Sequence, residues 1–248
     1  MKIGYQLYSA FENCKTGEGI CKTIGQLAKL GYDGVEFFHY ADLEPEKLKE
    51  VLLENKIEGF NAHVGLDRWE NNLDAEILFA QKAGIPCLTI PWLAPELRNE
   101  QGYARLLKLI PKIASCCNHA GIKLFYHNHD FEFDMLDGVL VLDKIFEAHT
   151  NLNLQIDTFW AYYSGFDPVE VLKKYGTRIG YTHIKDYTDK TTNPPAFCAI
   201  GTGEMNNVPI IKECKRLQSE WLVVEQDNSK IDVMESAALS IQNLKRII

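Results

Sequence analysis

LNLQIDTFW (152–160) and GYTHIKD (180–186) are two runs rich in β-branched and aromatic residues. Between them, residues 168–175 place apolar side chains at helical spacing. Asp167-Pro168 is a favourable helix start, because Asp caps the backbone and Pro fits the first turn. Gly176 follows as the usual stop. The stretch from residue 152 to 186 therefore predicts a strand, a helix and a second strand, which is one βα repeat and the start of the next.

The same alternation continues to both ends of the chain. Eight strand-like runs lie at 2–8, 34–38, 58–64, 87–93, 123–129, 152–160, 180–186 and 221–227. Helical stretches lie at 20–30, 45–55, 73–83, 104–120, 140–148, 168–175, 208–217 and 232–247, with Pro111 predicting a kink or a break in the fourth. Eight βα units without a break in composition predict an α/β fold, a single (β/α)₈ TIM barrel over residues 1–248. An open doubly wound sheet is the runner-up, but no GxGxxG follows the first strand.

Composition narrows the classes of function. The chain has 248 residues, with 26 Lys+Arg against 34 Asp+Glu, a net charge of −8 that disfavours nucleic acid as a partner. No run reaches the about 18 apolar residues that a membrane helix needs. Residues 1–15 lack the apolar run of a signal peptide, so a cytoplasmic protein is expected. Seven cysteines without a CxxC pair predict free thiols.

Polar side chains gather where the predicted strands end. Asp157, His183 and Glu225 lie at the ends of three consecutive strands, and catalytic residues of TIM barrels sit at those ends. Buried carboxylates and imidazoles in one barrel mouth cannot all ionise without compensation, and a divalent metal supplies it. Carboxylates with a single His suit Mn²⁺, Mg²⁺, Co²⁺ or Zn²⁺. The three residues are therefore predicted metal ligands.

Several short motifs carry a family resemblance over essentially the whole chain. They are QLYS (6–9), GYDGVEF (31–37), YHNHDFEF (126–133), IDTFW (156–160), THIKD (182–186) and IGTGEM (200–205). With these motifs the chain resembles the xylose-isomerase-like TIM barrels, in the sugar phosphate isomerase/epimerase branch. The resemblance implies one divalent metal held by a Glu, Asp, His, Glu set. Asp157, His183 and Glu225 match three of its members.

The fourth ligand departs from the family pattern. Many relatives have Glu at the end of strand five, where this chain has Tyr126 and His127. Either His127 is the ligand, or Glu132 reaches back from the following loop. Glu132 is favoured, because it gives the site a second anionic ligand opposite Glu225. In that interpretation His127 and His129 are free to bind or deprotonate substrate.

The chemistry implied by the resemblance is proton abstraction next to a carbonyl through an enediolate, in a metal-dependent sugar isomerase or epimerase. Glu225 and Glu132 are the expected catalytic carboxylates, with His127 as the competing base. A dehydratase or lyase acting on an inosose or a 3-keto-glycoside is the alternative. Two hypotheses come from other functional classes: an apurinic-endonuclease-like nuclease and a non-catalytic sugar-binding barrel. The expected partner is a small sugar, without nucleic acid or membrane, and a homodimer is in keeping with the resemblance.

Residues at other strand ends are candidate substrate contacts. His63, His129 and Trp92 are expected to touch the sugar. Lys185 either neutralises substrate oxygens or pairs with Asp186 or Glu204. The GTGE run (201–204) either offers backbone N–H groups to an anion or only orders its long loop. Gln6, Tyr8 and Glu36 are expected floor residues of the pocket.

Overall fold

Eight parallel strands close into a barrel in the computed structural model, which describes residues 1–248. The chain has twelve strands: β1 Lys2–Gln6, β2 Gly34–Phe37, β3 Glu58–His63, β4 Cys87–Ile90, β5 Lys123–His127, β6 Met135–Leu136, β7 Val139–Leu140, β8 Leu152–Asp157, β9 Ile179–Ile184, β10 Asp186–Asp189, β11 Ala196–Cys198 and β12 Trp221–Val224. The barrel order is β1-β12-β9-β8-β5-β4-β3-β2, and β2 pairs with β1 to close it. The predicted α/β barrel is confirmed, and the open sheet is excluded.

Nine α-helices accompany the strands. They are α1 Gly17–Leu30, α2 Pro45–Asn55, α3 Leu66–Ala83, α4 Glu100–His119, α5 Val141–Glu147, α6 Thr158–Tyr163, α7 Pro168–Tyr175, α8 Asn207–Arg216 and α9 Val233–Ile247. All eight predicted helices are present. The helix predicted from residue 73 begins seven residues earlier, at Leu66, and leaves helical geometry at Asn72.

Two local predictions were wrong. The fourth helix runs through Pro111 without a break, because buried Ile110, Ile113 and Ala114 hold both sides of the proline against the barrel. The run predicted as a strand to residue 160 ends at Asp157, where α6 begins. Its aromatic residues suit a strand by propensity, but the side chain of Asp157 caps a helix there.

The barrel interior is divided into an apolar layer and a polar layer. Toward the amino-terminal ends of the strands, Phe60, Cys87, Phe125, Tyr181, Trp221 and Val223 form a separate buried cluster. Toward the carboxyl-terminal ends, the inward positions are polar: Gln6, Glu36, Asn61, His63, Thr89, His127, Gln155, Asp157, His183 and Glu225 are all buried. Inward residues of a TIM barrel fill it in layers. Here the apolar layer closes one end, and polar groups concentrate at the other.

A glycine in β2 makes the apolar layer possible. The rings of Phe60 and Trp221 stack with their centroids 4.1 Å apart. A Cβ atom on Gly34 would lie 2.5 Å from the Trp221 ring and 2.7 Å from Phe60. Backbone and aromatic rings therefore approach more closely than any other residue would allow at this position.

We expect Gly34→Ala to lower the free energy of unfolding by about 1–3 kcal/mol, because a methyl group there overpacks a filled core. Urea unfolding monitored by tryptophan fluorescence measures the effect. Gly25→Ala in α1 is the control, since its Cβ would meet only the flexible Asn55 side chain and Ala favours a helix. Equal unfolding midpoints for Gly34→Ala and the wild type would show that the layer is not tightly packed.

The remaining features agree with the composition. No helix combines the length and the apolar character needed to cross a lipid bilayer. All seven cysteines are unpaired, which confirms the expectation of free thiols.

Candidate active site

The carboxyl-terminal ends of four strands bring four ligand-type side chains together. His127 ends β5, Asp157 ends β8, His183 lies in β9, and Glu225 directly follows β12. One donor atom from each lies within 4.8 Å of the other three, and all four residues are buried. Three of these residues belong to the predicted ligand set. The fourth is His127, the alternative to Glu132 in that set.

Asp157 uses one carboxylate oxygen for its own helix and leaves the other for the site. Its Oδ1 accepts hydrogen bonds from the backbone N–H groups of Phe159 (2.9 Å) and Trp160 (3.1 Å), which caps α6. Its Oδ2 is buried and lies 3.1 Å from Lys185 Nζ. The Asn128 side chain binds the Asp157 backbone through both N–H and C=O. The ends of β5 and β8 are thereby held in register beside the ligand group.

His183 lies between two carboxylates. Its Nδ1 lies 2.9 Å from Glu225 Oε2, and its Nε2 lies 2.6 Å from Glu36 Oε2. Burial alone would lower the pKa of His183, but Glu36 and Glu225 outweigh burial and raise the pKa to about 10. A carboxylate on one imidazole nitrogen fixes the ring orientation in which the other nitrogen can bind a metal.

Glu36 is the centre of a buried polar network. Besides His183, three side-chain amides donate to its oxygens: Gln6 at 2.8 Å, Asn61 at 2.5 Å and Gln155 at 2.5 Å. Burial alone would raise the pKa of Glu36, but the imidazoles of His63 and His183 outweigh burial and hold it well below its usual range. A carboxylate with this many donors stays ionised inside the barrel.

Sequence reasoning overlooked two members of this network. Gln155 and Asn61 each lie two residues before a predicted site residue, Asp157 and His63 respectively. Side chains two apart on a strand share a face. Alternation along each strand was therefore the signal that could have found them.

Lys185 places a cation among the carboxylates. Its Nζ lies 3.1 Å from Asp157 Oδ2, 3.0 Å from Glu225 Oε2 and 3.0 Å from Asp227 Oδ1. Burial lowers the pKa of Lys185, but these carboxylates outweigh burial and raise it well above its usual value. Lys185 therefore pairs with these three carboxylates, and not with Asp186 or Glu204, the partners expected from the sequence.

Glu132 lies outside the four-residue group, in a short 3₁₀ helix at Phe131–Phe133. Its Oε1 accepts a hydrogen bond from Tyr126 Oη at 2.7 Å, and its Oε2 accepts one from the backbone N–H of His129 at 2.7 Å. Burial raises the pKa of Glu132 to about 8. One oxygen is used by Tyr126 in β5 and the other by the backbone of the loop that follows, so the carboxyl group fixes the position of His129.

A cavity of about 470 Å³ opens at this end of the barrel. It is lined by Tyr8, Phe38, His63, Gly65, Pro91, Trp92, His127, His129, Glu225 and Asp227. Three of the four predicted substrate contacts, His63, His129 and Trp92, thus border the same space, whereas Lys185 lies among the carboxylates. The Nδ1 atoms of His127 and His129 are buried without a hydrogen-bond partner. Burial is the main cause that lowers the pKa of both rings, that of His129 to about 3.

The GTGE run is occupied by a carboxylate of the chain itself. Asp186 accepts hydrogen bonds from the backbone N–H groups of Gly201 (2.8 Å), Gly203 (3.0 Å) and Met205 (2.8 Å). It also accepts one from its neighbour Tyr187. These N–H groups order the loop that follows β9. Of the two alternatives for the GTGE run, the structure therefore supports ordering of the loop over binding of an anion.

The donor set fits a divalent metal ion. His127 Nδ1 is a buried polar atom without a hydrogen bond, although such atoms are nearly always partnered. The partner of Asp157 Oδ2 is the ammonium group of Lys185, which also contacts Glu225 and Asp227. Four carboxylates meet the two cationic partners at this end of the barrel: Glu36, Asp157, Glu225 and Asp227 face Lys185 and His183. A further positive charge would balance the excess of carboxylates.

Comparison with known proteins places the chain in a family. It is 28% identical to an inosose dehydratase of Geobacillus kaustophilus (strain HTA426) over 246 residues, covering 83% of this chain and 79% of that protein. A sugar phosphate isomerase/epimerase structure from Parabacteroides distasonis ATCC 8503 shares its fold (TM-score 0.79, 22% identity, 98% and 93% coverage). So does the IolI protein solved with a bound zinc atom (TM-score 0.79, 15% identity, 100% and 98% coverage). The family described as xylose isomerase-like TIM barrel matches residues 24–247. The chain belongs to the xylose isomerase-like TIM barrel family.

Proposed function

We propose that this chain is a divalent-metal-dependent enzyme that removes a proton next to the carbonyl of a keto sugar or sugar derivative, as isomerases and epimerases do. The observation that carries the proposal is the buried group of His127, Asp157, His183 and Glu225 beside a cavity. Similarity to an inosose dehydratase and to a sugar phosphate isomerase/epimerase supports an enzyme of sugar chemistry.

The four residues of this group are the proposed metal ligands, with His127 in the place that the sequence assigned to Glu132. Two imidazoles and two carboxylates favour Zn²⁺ or Co²⁺ over Mg²⁺, because nitrogen donors suit the former. The zinc atom of the structurally similar IolI protein agrees with this donor set. When bound, such an ion supplies Lewis-acid polarisation of a substrate carbonyl.

His129 is the proposed proton carrier. Its ring borders the cavity, its Nδ1 has no partner, and its lowered pKa keeps the imidazole neutral at pH 7. A neutral imidazole can accept a proton from a carbon beside the carbonyl. Glu132 acts as a positioning residue, since it binds the backbone N–H of His129. His63 and Trp92 line the cavity and are proposed to hold the sugar.

Dehydration is the second candidate, and the 28% identity to an inosose dehydratase favours it. Loss of a hydroxyl group after the same proton abstraction gives dehydration, and loss of a glycosidic oxygen gives elimination. The site therefore serves either outcome with the same residues. A nuclease is disfavoured by the net charge of −8. The cytoplasmic location and the homodimer stay predictions.

The test combines metal analysis with solvent exchange. We expect about one divalent metal per chain in purified protein, and metal-dependent incorporation of solvent deuterium beside the carbonyl of a keto sugar from a panel that includes inososes. Chelated protein with the metal restored is the control. Well-folded protein that takes up no metal when supplied with Zn²⁺, Co²⁺ or Mn²⁺ would contradict the proposal.

A further inference from the structure

The cavity has a mixed lining. Imidazoles and carboxylates line it together with the apolar side chains of Tyr8, Phe38, Pro91 and Trp92. A sugar bound by its oxygens to the polar groups leaves the apolar side chains for an apolar group. Ligand sites are commonly built in this way, with a few polar groups for orientation and apolar surface for contact.

Two aromatic residues of the cavity lining, Tyr8 and Phe38, continue outward onto the surface. Tyr8, Phe11 and Phe38, here called the aromatic shelf, have ring centroids 5.4 to 5.9 Å apart. Tyr8 and Phe11 are each 44% exposed. Phe11 does not line the cavity, whereas Tyr8 and Phe38 do. The shelf is therefore one surface that begins inside the cavity and ends outside it.

Local structure sets the exposure of these rings. The 3₁₀ helix Leu7–Cys14 follows β1 directly, and it buries Leu7, Ala10 and Cys14. Tyr8 and Phe11 consequently face away from the core. Phe38 follows β2, which pairs with β1, so it meets both rings across neighbouring strand ends. Contiguous exposed apolar surface is typical of binding sites.

We propose that the aromatic shelf is a subsite for a second ring attached to the sugar, so that the substrate is a glycoside-like molecule and not a free monosaccharide. The inference rests on the proposed function for the place of the sugar itself. An aryl ring and the C–H face of a second sugar share the required chemistry, a flat apolar face that packs on aromatic rings. Continuity with the cavity selects a group carried by the substrate, because such a group leaves the site across Tyr8 and Phe38.

The test compares glycosides that share one sugar. Binding of methyl β-D-glucoside, phenyl β-D-glucoside and cellobiose to the full-length protein is measured by calorimetry and saturation-transfer NMR. We expect the phenyl glucoside or cellobiose to bind about tenfold more tightly than the methyl glucoside. A gain for the phenyl ring alone identifies an aryl group, and a gain for cellobiose identifies a second sugar.

Variants of Phe11, at the outer edge of the shelf, test whether the affinity gain from the second ring arises there. Phe11→Ala is expected to reduce the affinity gain of the phenyl glucoside or cellobiose over the methyl glucoside to less than about twofold. Binding of the methyl glucoside itself should not change, since Phe11 lies outside the cavity. Phe11→Trp is expected to retain the affinity gain. Leu53→Ala, at a 70% exposed apolar position on α2, is the control and should change nothing.

Three results would overturn the subsite. They are equal or absent binding of all three glycosides by the wild type, a gain that survives in Phe11→Ala, and a wild-type dimer that Phe11→Ala dissociates in sedimentation. The last result would assign the shelf to a second copy of the chain. Deuterium exchange separates the two proposals: exchange without a ring-dependent gain rejects only the subsite, and a gain without exchange rejects only the proposed reaction.

Discussion

Asp157→Asn is expected to lower both metal affinity and turnover by more than about a hundredfold. Loss of groups that merely orient metal ligands already costs 10–100-fold, and Asp157 is a proposed direct ligand. Asparagine keeps an Oδ1 acceptor for the N–H groups of Phe159 and Trp160, so α6 retains its cap. Metal competition with a chromogenic chelator and the deuterium-exchange rate measure the two effects.

The matched control is Asp167→Asn. Asp167 caps α7 through a hydrogen bond from the Val169 N–H, and it is exposed. The same substitution in the same local setting, away from the site, should leave metal content and exchange unchanged. Wild-type metal affinity in Asp157→Asn, with helix content unchanged by circular dichroism, would remove Asp157 from the ligand set.

Glu36→Gln is expected to lower the free energy of unfolding by about 3–5 kcal/mol. The substitution removes one partner of a fully buried charge pair with His183 and places an amide among donors. Glutamine keeps one acceptor oxygen, which can serve either Asn61 and Gln155 or Gln6 and His183, so the other two donors would face an NH₂ group. Urea unfolding at pH 7 measures the loss.

A second readout separates orientation from stability. In folded Glu36→Gln, metal affinity should fall by about 10–100-fold, because the His183 ring loses the carboxylate that orients it. Glu58→Gln is the control, since Glu58 forms an exposed pair with Lys2 that is worth about 1 kcal/mol or less. Unchanged metal affinity in the Glu36 variant would limit Glu36 to a structural role.

Much of the fold was readable because its signals are local. A strand run followed by a helical run, with Gly176 or Gly84 as a stop, is set by neighbours in the chain. The eightfold repeat then predicts where strand ends meet. Pro111 and the strand that ended early at Asp157 were misjudged where packing or a cap outweighed intrinsic propensity.

The residues of the site also divide into those that local sequence signals predict and those that they do not. Asp157, His183 and Glu225 could be predicted, since each lies at the end of a strand and the barrel brings those ends together. The choice between His127 and Glu132 could not be predicted from the sequence, because it depends on how the end of β5 and the loop after it fold. There, Tyr126 and the His129 backbone bind both oxygens of Glu132.

The amino-acid sequence by itself determined the α/β repeat, the polar end of the barrel and three of the four grouped ligand-type residues, because periodicity and strand order are properties of the chain. Only the tertiary structure decided that His127 completes the group, that Glu36 supports His183 and that Lys185 lies among carboxylates. The reason is physical. These contacts join residues 28 to 147 positions apart, from Lys185 with Asp157 to Glu36 with His183, and only the closure of the barrel sets their distances.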